Sequence, residues 1–281
     1  MAPLVWLVTG CSSGFGRTFV TQILARGDRV IATARKLDSI RDLESAGAKT
    51  LQLDVTDDQQ NLNKIAEQAI AVYGAVDVLV NNAGSSTGAS WEEASVEEVR
   101  QQFETNVFGV FKVTKAFLPY FRERKDGKIV FFSSLVAWVG HPFGGAYSGS
   151  KFALEGLVES LWRETSPLGI KTMLVEPGLF RTSLGSNAKY HEAQIAEYKP
   201  ASQALLGMLA ALGGKEPGDP EKGVSLILDF VRGEGSAAGR EMPFRLPLGT
   251  DAYQGITGKC EETLSSLKEH KDLICSTDFS Q

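Results

Sequence analysis

A short apolar strand, a glycine-rich turn, a helix and a second strand begin the regular pattern of this chain, and that unit limits what the rest can become. Leu4-Val-Trp-Leu-Val8 is a continuous apolar run of the kind that forms a buried strand. Thr9-Gly10-Cys-Ser-Ser-Gly14-Phe-Gly16 follows at once, and Phe19, Val20, Ile23 and Leu24 then recur at helical spacing as far as Gly27. Arg29-Val-Ile-Ala-Thr-Ala34 reads as the second strand. Glycines in such a turn let backbone approach a pyrophosphate, and the helix start offers unpaired N–H groups and the positive end of its dipole. The spacing is G-x-x-x-G-x-G, which departs from the commoner G-x-G-x-x-G fingerprint.

The alternation continues to the end of the chain. Leu51-Gln-Leu-Asp54-Val55, Val76-Asp-Val-Leu-Val80, Gly127-Lys-Ile-Val-Phe-Phe-Ser133 and Lys171-Thr-Met-Leu-Val-Glu176 read as further strands. Helical spacing covers residues 58–73, 96–124, the stretch after Tyr147, and Val224 to Val231, the last behind an Asp219-Pro220 start. Pro119 is expected to disturb the final turns of the 96–124 helix. Phe244-Arg-Leu-Pro-Leu248 is a Pro-limited edge strand, and a polar helix runs from about Asp251 towards Lys271. Strands alternating with helices throughout imply an α/β doubly wound parallel sheet, a Rossmann fold, in a single domain over 1–281. The looser stretch at about 185–220 reads as a substrate-lid insertion, and the residues from about 251 as a C-terminal extension.

Composition excludes several functions. The 281 residues are 43% hydrophobic and 22% charged, which is ordinary globular usage, and a net charge of −5 leaves no basic footprint for nucleic acid. Cys11, Cys260 and Cys275 are odd in number and lack metal-ligand spacing, and His141, His191 and His270 stand apart, so no metal is expected. No apolar run approaches ~18 residues and no basic leader precedes Leu4, so a cytoplasmic protein with no membrane span is expected.

Residues 134–151 carry the clearest chemistry. Ser134 ends a strand, while Tyr147 and Lys151 are four apart at the start of a helix and so share a face. An ammonium beside a phenol favours phenolate, lowering a pKa that starts near ~10, and a serine hydroxyl can share the oxygen the phenol serves. That is an acid/base able to exchange a proton with an alcohol or a carbonyl. At the end of the second strand, Ala34-Arg35-Lys36 has no acid for a ribose 2′-hydroxyl, and its cations suit a 2′-phosphate instead. Asp54 either accepts from an adenine amino group or caps the helix starting near Asp57. Asn81-Asn82-Ala83-Gly84 is a small, amide-rich loop at a strand end, and Asn106 interrupts an apolar helix face, where a buried amide must find partners.

These motifs, in this order, resemble the short-chain dehydrogenase/reductase family over roughly residues 4–250, and its NADP-preferring members in particular. Thr9-Gly-Cys-Ser-Ser-Gly-Phe-Gly16 and Ile31-Ala-Thr-Ala-Arg35 look most like hydroxysteroid and retinol dehydrogenases and their microbial homologues. The resemblance implies a catalytic tetrad of Asn106, Ser134, Tyr147 and Lys151. It also implies NADP(H) held by Gly10, Ser12, Ser13, Gly14, Phe15, Gly16, Arg35, Asp54, Val55, Asn82, Ala83, Gly84, Tyr147, Lys151, Pro177, Gly178 and Thr182. By that analogy Tyr147 protonates a carbonyl oxygen as NADPH gives hydride, Lys151 lowers the phenol pKa and holds ribose hydroxyls, Ser134 positions the substrate oxygen and Asn106 supports a water relay. The same site could run an isomerisation or dehydration, or the fold could serve as a catalytically silent NADP(H)-binding regulatory protein. Val136, Trp138, Phe143, Phe180 and Leu184 are expected to wall a pocket for a bulky hydrophobic ketone or secondary alcohol. Apolar surplus on the helix after Lys151 and on the 96–124 helix suggests a homodimer or homotetramer.

Overall fold

The apolar runs become strands of one parallel sheet. The computed structural model describes residues 2–279. Its strands are β1 (Val5–Val8), β2 (Arg29–Ala34), β3 (Lys49–Gln52), β4 (Val78–Asn81), β5 (Thr87–Gly88), β6 (Gly127–Phe132), β7 (Ile170–Pro177), β8 (Lys189–Tyr190) and β9 (Arg245–Leu248). Seven of them form the central sheet in the order β3-β2-β1-β4-β6-β7-β9, every pair parallel, while β5 and β8 make a separate two-residue ladder. The order reverses beside β1, so β1 and β4 run side by side with their connections leaving to opposite sides. That reversal is the switch point at which open sheets of this kind accept ligands.

Both faces of the sheet are covered, which is why its strands read as unbroken apolar runs. Successive side chains point to opposite faces, so Trp6, Val8, Val30 and Val80 join Phe19, Val224 and Ile227 on one side. These come from helices α1 (Gly14–Ala25) and α9 (Pro220–Arg232). Leu7, Ile31, Leu79 and Ile129 meet Leu62, Phe117, Phe121 and Leu154 on the other. That layer is built by α3 (Gln59–Tyr73), α5 (Val110–Arg124) and α6 (Gly145–Thr165), with α4 (Val96–Phe103) packed on α6, while α2 (Arg41–Ser45) adds Leu43 to the first side. The remaining helices are α7 (Ser183–Asn187), α8 (Lys199–Leu212), α10 (Thr250–Glu269) and α11 (Lys271–Cys275).

Three local details depart from the sequence reading. Residues 96–124 are helical throughout, but Glu104–Gly109 widens into a π-helical segment that separates α4 from α5. Pro119 leaves the last turns of α5 intact, because Pro119 and Lys115, whose carbonyl loses its helical donor, both face solvent. Asp54 does not cap α3: its carboxylate closes a turn onto Thr56, accepting from the amide at 3.0 Å and the hydroxyl at 2.8 Å. Asp58 is the cap, accepting from Asn61 N at 2.8 Å.

The glycine turn is locked to β4 by side chains that the ladder itself does not use. Thr9 Oγ1 accepts from the amides of Asn82 and Ala83, each at 3.0 Å, and Asn82 Nδ2 donates to the carbonyls of Thr9 at 2.8 Å and Gly10 at 3.2 Å. Gly10 adopts φ +74° with Ala83 Cα only 2.9 Å from where a Cβ would stand, so two backbones touch here. Gly16 is as tight: a Cβ there would lie 2.6 Å from Asn82 Nδ2 and press on the Gly10 carbonyl. Gly16→Ala is therefore expected to destabilise the protein by ~1–3 kcal/mol, the usual cost of overpacking. Urea denaturation followed by far-ultraviolet circular dichroism measures it, and an unchanged midpoint would show that the turn relaxes freely.

Candidate active site

The carboxyl ends of β1, β2, β4, β6 and β7 share one rim, and each sequence motif lies there because a parallel sheet points all its strand ends the same way. At the β1 end, α1 begins without a side-chain cap and with no acid in its first turn, and Gly14 sits at φ +54°. Its first N–H groups are thus free to bind an anion. Ser12 is exposed and Ser13 half-buried beside them, and Thr182 rests against Gly14, its Cβ 3.3 Å from a Cβ built on that glycine. The Phe15 ring packs 5.0 Å from Phe132 and 5.2 Å from Phe180, leaving only its backbone for a cofactor.

At the β2 end, Arg35 is exposed and makes no ion pair among the described residues, whereas Arg17 pairs with Asp42 and Arg41 with Asp38. Val55 is buried against Gly109 in the π segment. Asn82 is brought to the rim, but both of its amide hydrogens are spent on the glycine turn, so its side chain braces that turn. Ala83 and Gly84 follow it, with Gly84 close to both Asn106 Oδ1 and Lys151 Nζ (3.4 and 3.9 Å from a built Cβ).

Asn106, Ser134, Tyr147 and Lys151 converge between β4, β6 and α6. Asn106 is fully buried in the π segment, where the widened turn lets its amide face the loop after β4. It accepts from Ser85 N at 2.9 Å and donates to Ser85 O at 3.0 Å and Ser150 Oγ at 3.1 Å. Ser150 in turn donates to the Tyr147 carbonyl at 2.7 Å, so the amide ties that loop to the first turn of α6. Ser134 accepts from Val136 N at 3.3 Å and donates to the Pro177 carbonyl at 3.4 Å, and its hydroxyl lies near enough to the Tyr147 phenol to draw its pKa down. Lys151 Nζ donates to Phe132 O at 2.8 Å and lies 5.9 Å from the Tyr147 ring centroid.

Burial governs the titration of both groups. It pushes the Tyr147 phenol up to about 12, a rise that the neighbouring Ser134 hydroxyl opposes and the nearby Tyr190 phenol reinforces. The expectation that Lys151 lowers the phenol pKa is thus corrected, because the ammonium is turned to the Phe132 carbonyl and removal from water outweighs it. Lys151 is itself pushed down to about 8 by burial, against the pull of the Glu155 charge.

Two of the expected pocket residues are corrected. Trp138 donates from Nε1 to Glu176 Oε1 at 2.9 Å and lies under the Arg245 guanidinium, 4.8 Å from its ring centre, so it covers a buried ion cluster. Phe180 packs on Phe15 and fits against Gly218, 2.5 Å from a built Cβ, rather than standing free. Val136 donates its amide to Ser134 Oγ, Phe143 adopts φ +62° with its carbonyl against Gly88, and Leu184 is exposed beyond Thr182. Residues 189–198 are stitched over the loop after β4: β5 pairs with β8, Glu93 accepts from the amides of Gln194 and Ile195 at 2.6 and 3.0 Å, and Tyr198 donates to Glu92 at 2.7 Å. Tyr190 is carried in by this pairing, its ring 2.5 Å from a built Cβ on Gly88.

Several residues at the site gave only weak signals. Gln102 is buried, accepts from Thr87 N at 2.8 Å and donates to Ser85 O at 2.7 Å, a polar residue on a helix face that α4 buries. Asp251 at the start of α10 accepts from Leu179 N at 2.6 Å and so holds the loop after Pro177-Gly178. Glu155 and Glu176, each a lone acid in an apolar run, are buried and share Arg245. Among the described residues no cluster of acids, cysteines and histidines could hold a metal, and no helix is long and apolar enough to cross a membrane.

Residues 4–193 match the family model described as short chain dehydrogenase, and the chain belongs to that family. The oxidoreductase YusZ of Bacillus subtilis is 40% identical over 243 residues, 82% of this chain and 85% of that protein. A 3-ketodihydrosphingosine reductase of Bacteroides thetaiotaomicron is 42% identical over 193 residues, 68% of this chain and 70% of its own. The crystal structure of a short-chain dehydrogenase from Streptomyces avermitilis superposes with a TM-score of 0.86 at 38% identity, over 99% of both chains. The chain is therefore an oxidoreductase-family member with a Rossmann-like parallel sheet.

The Glu176 carboxyl is pushed up to about 7, chiefly by burial, with the Glu155 charge adding and the Trp138 and Arg245 contacts opposing. Its folded value lies above the ordinary 4.5, so between those values the native state holds a proton that the unfolded chain has lost. The stabilising contribution is full below the unfolded value and is lost as pH rises through about 7. Wild-type Tm is expected to fall across pH 5 to 8 on this account, and Glu176→Gln, which cannot ionise, to fall less. Thermal melts of both proteins across that range decide it, parallel curves counting against the assignment.

Proposed function

We propose that this chain is an NADP(H)-dependent oxidoreductase that interconverts a bulky hydrophobic ketone and its secondary alcohol. The observation that carries the reading is the buried Tyr147 phenol, beside the Ser134 hydroxyl and one helical turn from Lys151, on the rim that also holds the uncapped start of α1. A phenol pushed up to about 12 keeps its proton at neutral pH, which is the form a reductase's acid must have.

When bound, the reduced nicotinamide cofactor supplies the hydride. In that direction the Tyr147 hydroxyl gives its proton to the substrate oxygen, and the Ser134 hydroxyl holds the same oxygen in line. Lys151 contributes positive charge 5.9 Å from the centre of the phenol ring. Asn106 holds Ser85 and α6 at the spacing this needs. The free N–H groups at the start of α1, with Ser12, Ser13, Gly14, Phe15 and Gly16, suit the pyrophosphate. Asp54, Val55, Ala83, Gly84, Pro177, Gly178 and Thr182 border the rest of the rim, with Gly10 and Asn82 shaping it.

Arg35 supports NADP(H) over NAD(H), because it is an exposed cation without an acidic partner among the described residues, where a 2′-phosphate would need one. Val136, Phe143, Leu184 and the inserted Tyr190 supply an apolar wall, and residues 185–220 form the lid over it. Relatives whose names give a 3-ketodihydrosphingosine or a retinol as substrate agree with an apolar carbonyl or alcohol. Phe108, Phe111, Phe152 and Leu157 are about half exposed on the outer helices, and α4 borders a groove of about 600 Å³ in which Val96, Val99, Phe103 and Phe108 stand beside the polar Glu97, Arg100, Gln101 and Glu104. That apolar surface supports a homodimer or homotetramer.

Tyr147→Phe preserves the packing and removes the proton, so kcat for ring or long-chain ketones with NADPH should fall by at least ~10². The same spectrophotometric panel should give the wild type a higher kcat/KM for those ketones than for small hydroxy-ketones and sugars; retained turnover in the variant, or preference for the polar set, overturns the reading. Arg35→Asp should weaken NADPH use and improve NADH use, measured as the ratio of the two kcat/KM values. An unchanged ratio would move the preference to other groups.

A further inference from the structure

Behind the four rim residues lies a buried ion cluster that the mechanism does not use. Glu155 is one turn beyond Lys151 on α6 and only 5% exposed, Glu176 near the end of β7 is fully buried, and Arg245 on β9 bridges the two. Glu155 Oε1 accepts from Ser133 Oγ at 2.5 Å, and Oε2 accepts from Arg245 at 2.5 Å. Arg245 also donates to Glu176 Oε1, the oxygen that receives the Trp138 indole N–H. The Arg245 guanidinium is shielded by the rings of Trp138 and Phe244, 4.8 and 5.5 Å from their centres.

Followed from bond to bond, these contacts close a ring. Lys151 holds the carbonyl of Phe132 and Glu155 holds the hydroxyl of Ser133, so one face of α6 grips two consecutive residues of the strand end that delivers Ser134. From Glu155 the path runs through Arg245 to Glu176, then along the chain to Pro177, whose carbonyl faces the Ser134 hydroxyl at 3.4 Å. Ser134 is therefore fixed from both sides by one charged network. The charge that acts on Lys151 is Glu155; Arg245 on β9 pairs with Glu155 and also reaches Glu159 on α6 and Glu176 on β7, while the Tyr147 ring lies 5.9 Å from Lys151 Nζ and Tyr190 acts on the Tyr147 phenol.

We propose that Glu155 is a positioning residue, holding Lys151 in its charged form and the Ser133-Ser134 peptide in place, with Arg245 and Glu176 as the clamp that keeps its carboxylate there. Glu155 is the one neighbour whose charge raises the Lys151 amine against burial, which agrees with this role. The proposal rests on the catalytic reading of Lys151, yet the titration of that amine can be followed without any turnover.

The test is a pH titration of the Lys151 side chain in the full-length protein, by 13C-lysine NMR with Lys151→Arg for assignment. Glu155→Gln keeps an acceptor for Ser133 but removes the charge, so the Lys151 midpoint should move to lower pH by about 1 unit. Arg245→Gln removes the opposing cation and should move it to higher pH. Ser133→Ala keeps the charges and should leave the midpoint in place. In steady-state reduction the alkaline limb of kcat should follow the same signs, with smaller changes in the KM for NADPH. General loosening of the site would move both charge variants in one direction, and that result, or unmoved midpoints in folded variants, overturns the proposal. If Glu155→Gln does not fold, the upward shift in Arg245→Gln remains decisive: a midpoint unmoved or lowered there overturns it as well. Failure of the catalytic reading is recognised separately, by full turnover in Tyr147→Phe alongside the expected midpoint shifts.

Discussion

Parallel pairing ends every strand of the central sheet on the same side, and the polar backbone groups left there have no ladder to satisfy them. How those groups are satisfied decides what the rim can do. At β6 the Phe132 carbonyl is taken by an ammonium, Lys151 Nζ, at 2.8 Å. At β4 the amides of Asn82 and Ala83 are taken by a hydroxyl, Thr9 Oγ1, and the loop amides beyond it by Asn106 and Gln102. At the start of α1 the N–H groups are left without a side-chain cap. An unsatisfied donor costs free energy when buried but is useful where an anion is to bind, so the start of α1 differs in kind from the satisfied ends of β4 and β6.

The same economy explains the π-helical segment. A regular helix from Val96 to Arg124 would carry Asn106 on a face packed against the sheet layer, with its amide among apolar neighbours. Widening over Glu104–Gly109 turns the amide towards Ser85 and Ser150, where it finds three partners. Segments of this type cost regular hydrogen bonds, and they occur where a side chain must be re-aimed. Val55 fills the space against Gly109, and a side chain there would meet Val55 Cγ2 at 2.8 Å, so the widening and the small residue belong together.

The fold was legible because its signals are local. Apolar runs of strand length, helical spacing between them and a glycine turn at the first crossover define a doubly wound sheet, and the strand order follows that plan. The positions of Ser134, Tyr147 and Lys151 were legible for the same reason, since a strand end and one helical turn fix them within a short stretch. What the sequence concealed depends on contacts between distant segments. Glu155 and Arg245 are 90 positions apart, and nothing local in either marks a pair. Trp138 and Phe180 lie beside the site in the chain, yet their rings turn into packing because Arg245, Phe15 and the glycines at 218 and 223 offer better surroundings than water. The π segment was hidden too, because its apolar spacing is nearly that of an α-helix.

Charge at the site has to be read from desolvation first and from pairs second. Sequence spacing suggested an ammonium lowering a phenol, but both groups are almost fully buried, and burial moves each towards its neutral form: the phenol up, the amine down. Left alone, that environment would give a neutral tyrosine beside a neutral lysine and little electrostatic help for a proton transfer. A buried carboxylate one turn away changes the balance for the amine without touching the phenol. That carboxylate needs a counter-cation of its own, which Arg245 supplies, and the second acid, Glu176, keeps the arginine from cancelling Glu155 outright. The charged layer beneath the rim thus accompanies the burial of Tyr147 and Lys151, and it joins α6 to β7 and β9 through Arg245 while Lys151 and Glu155 also hold the end of β6.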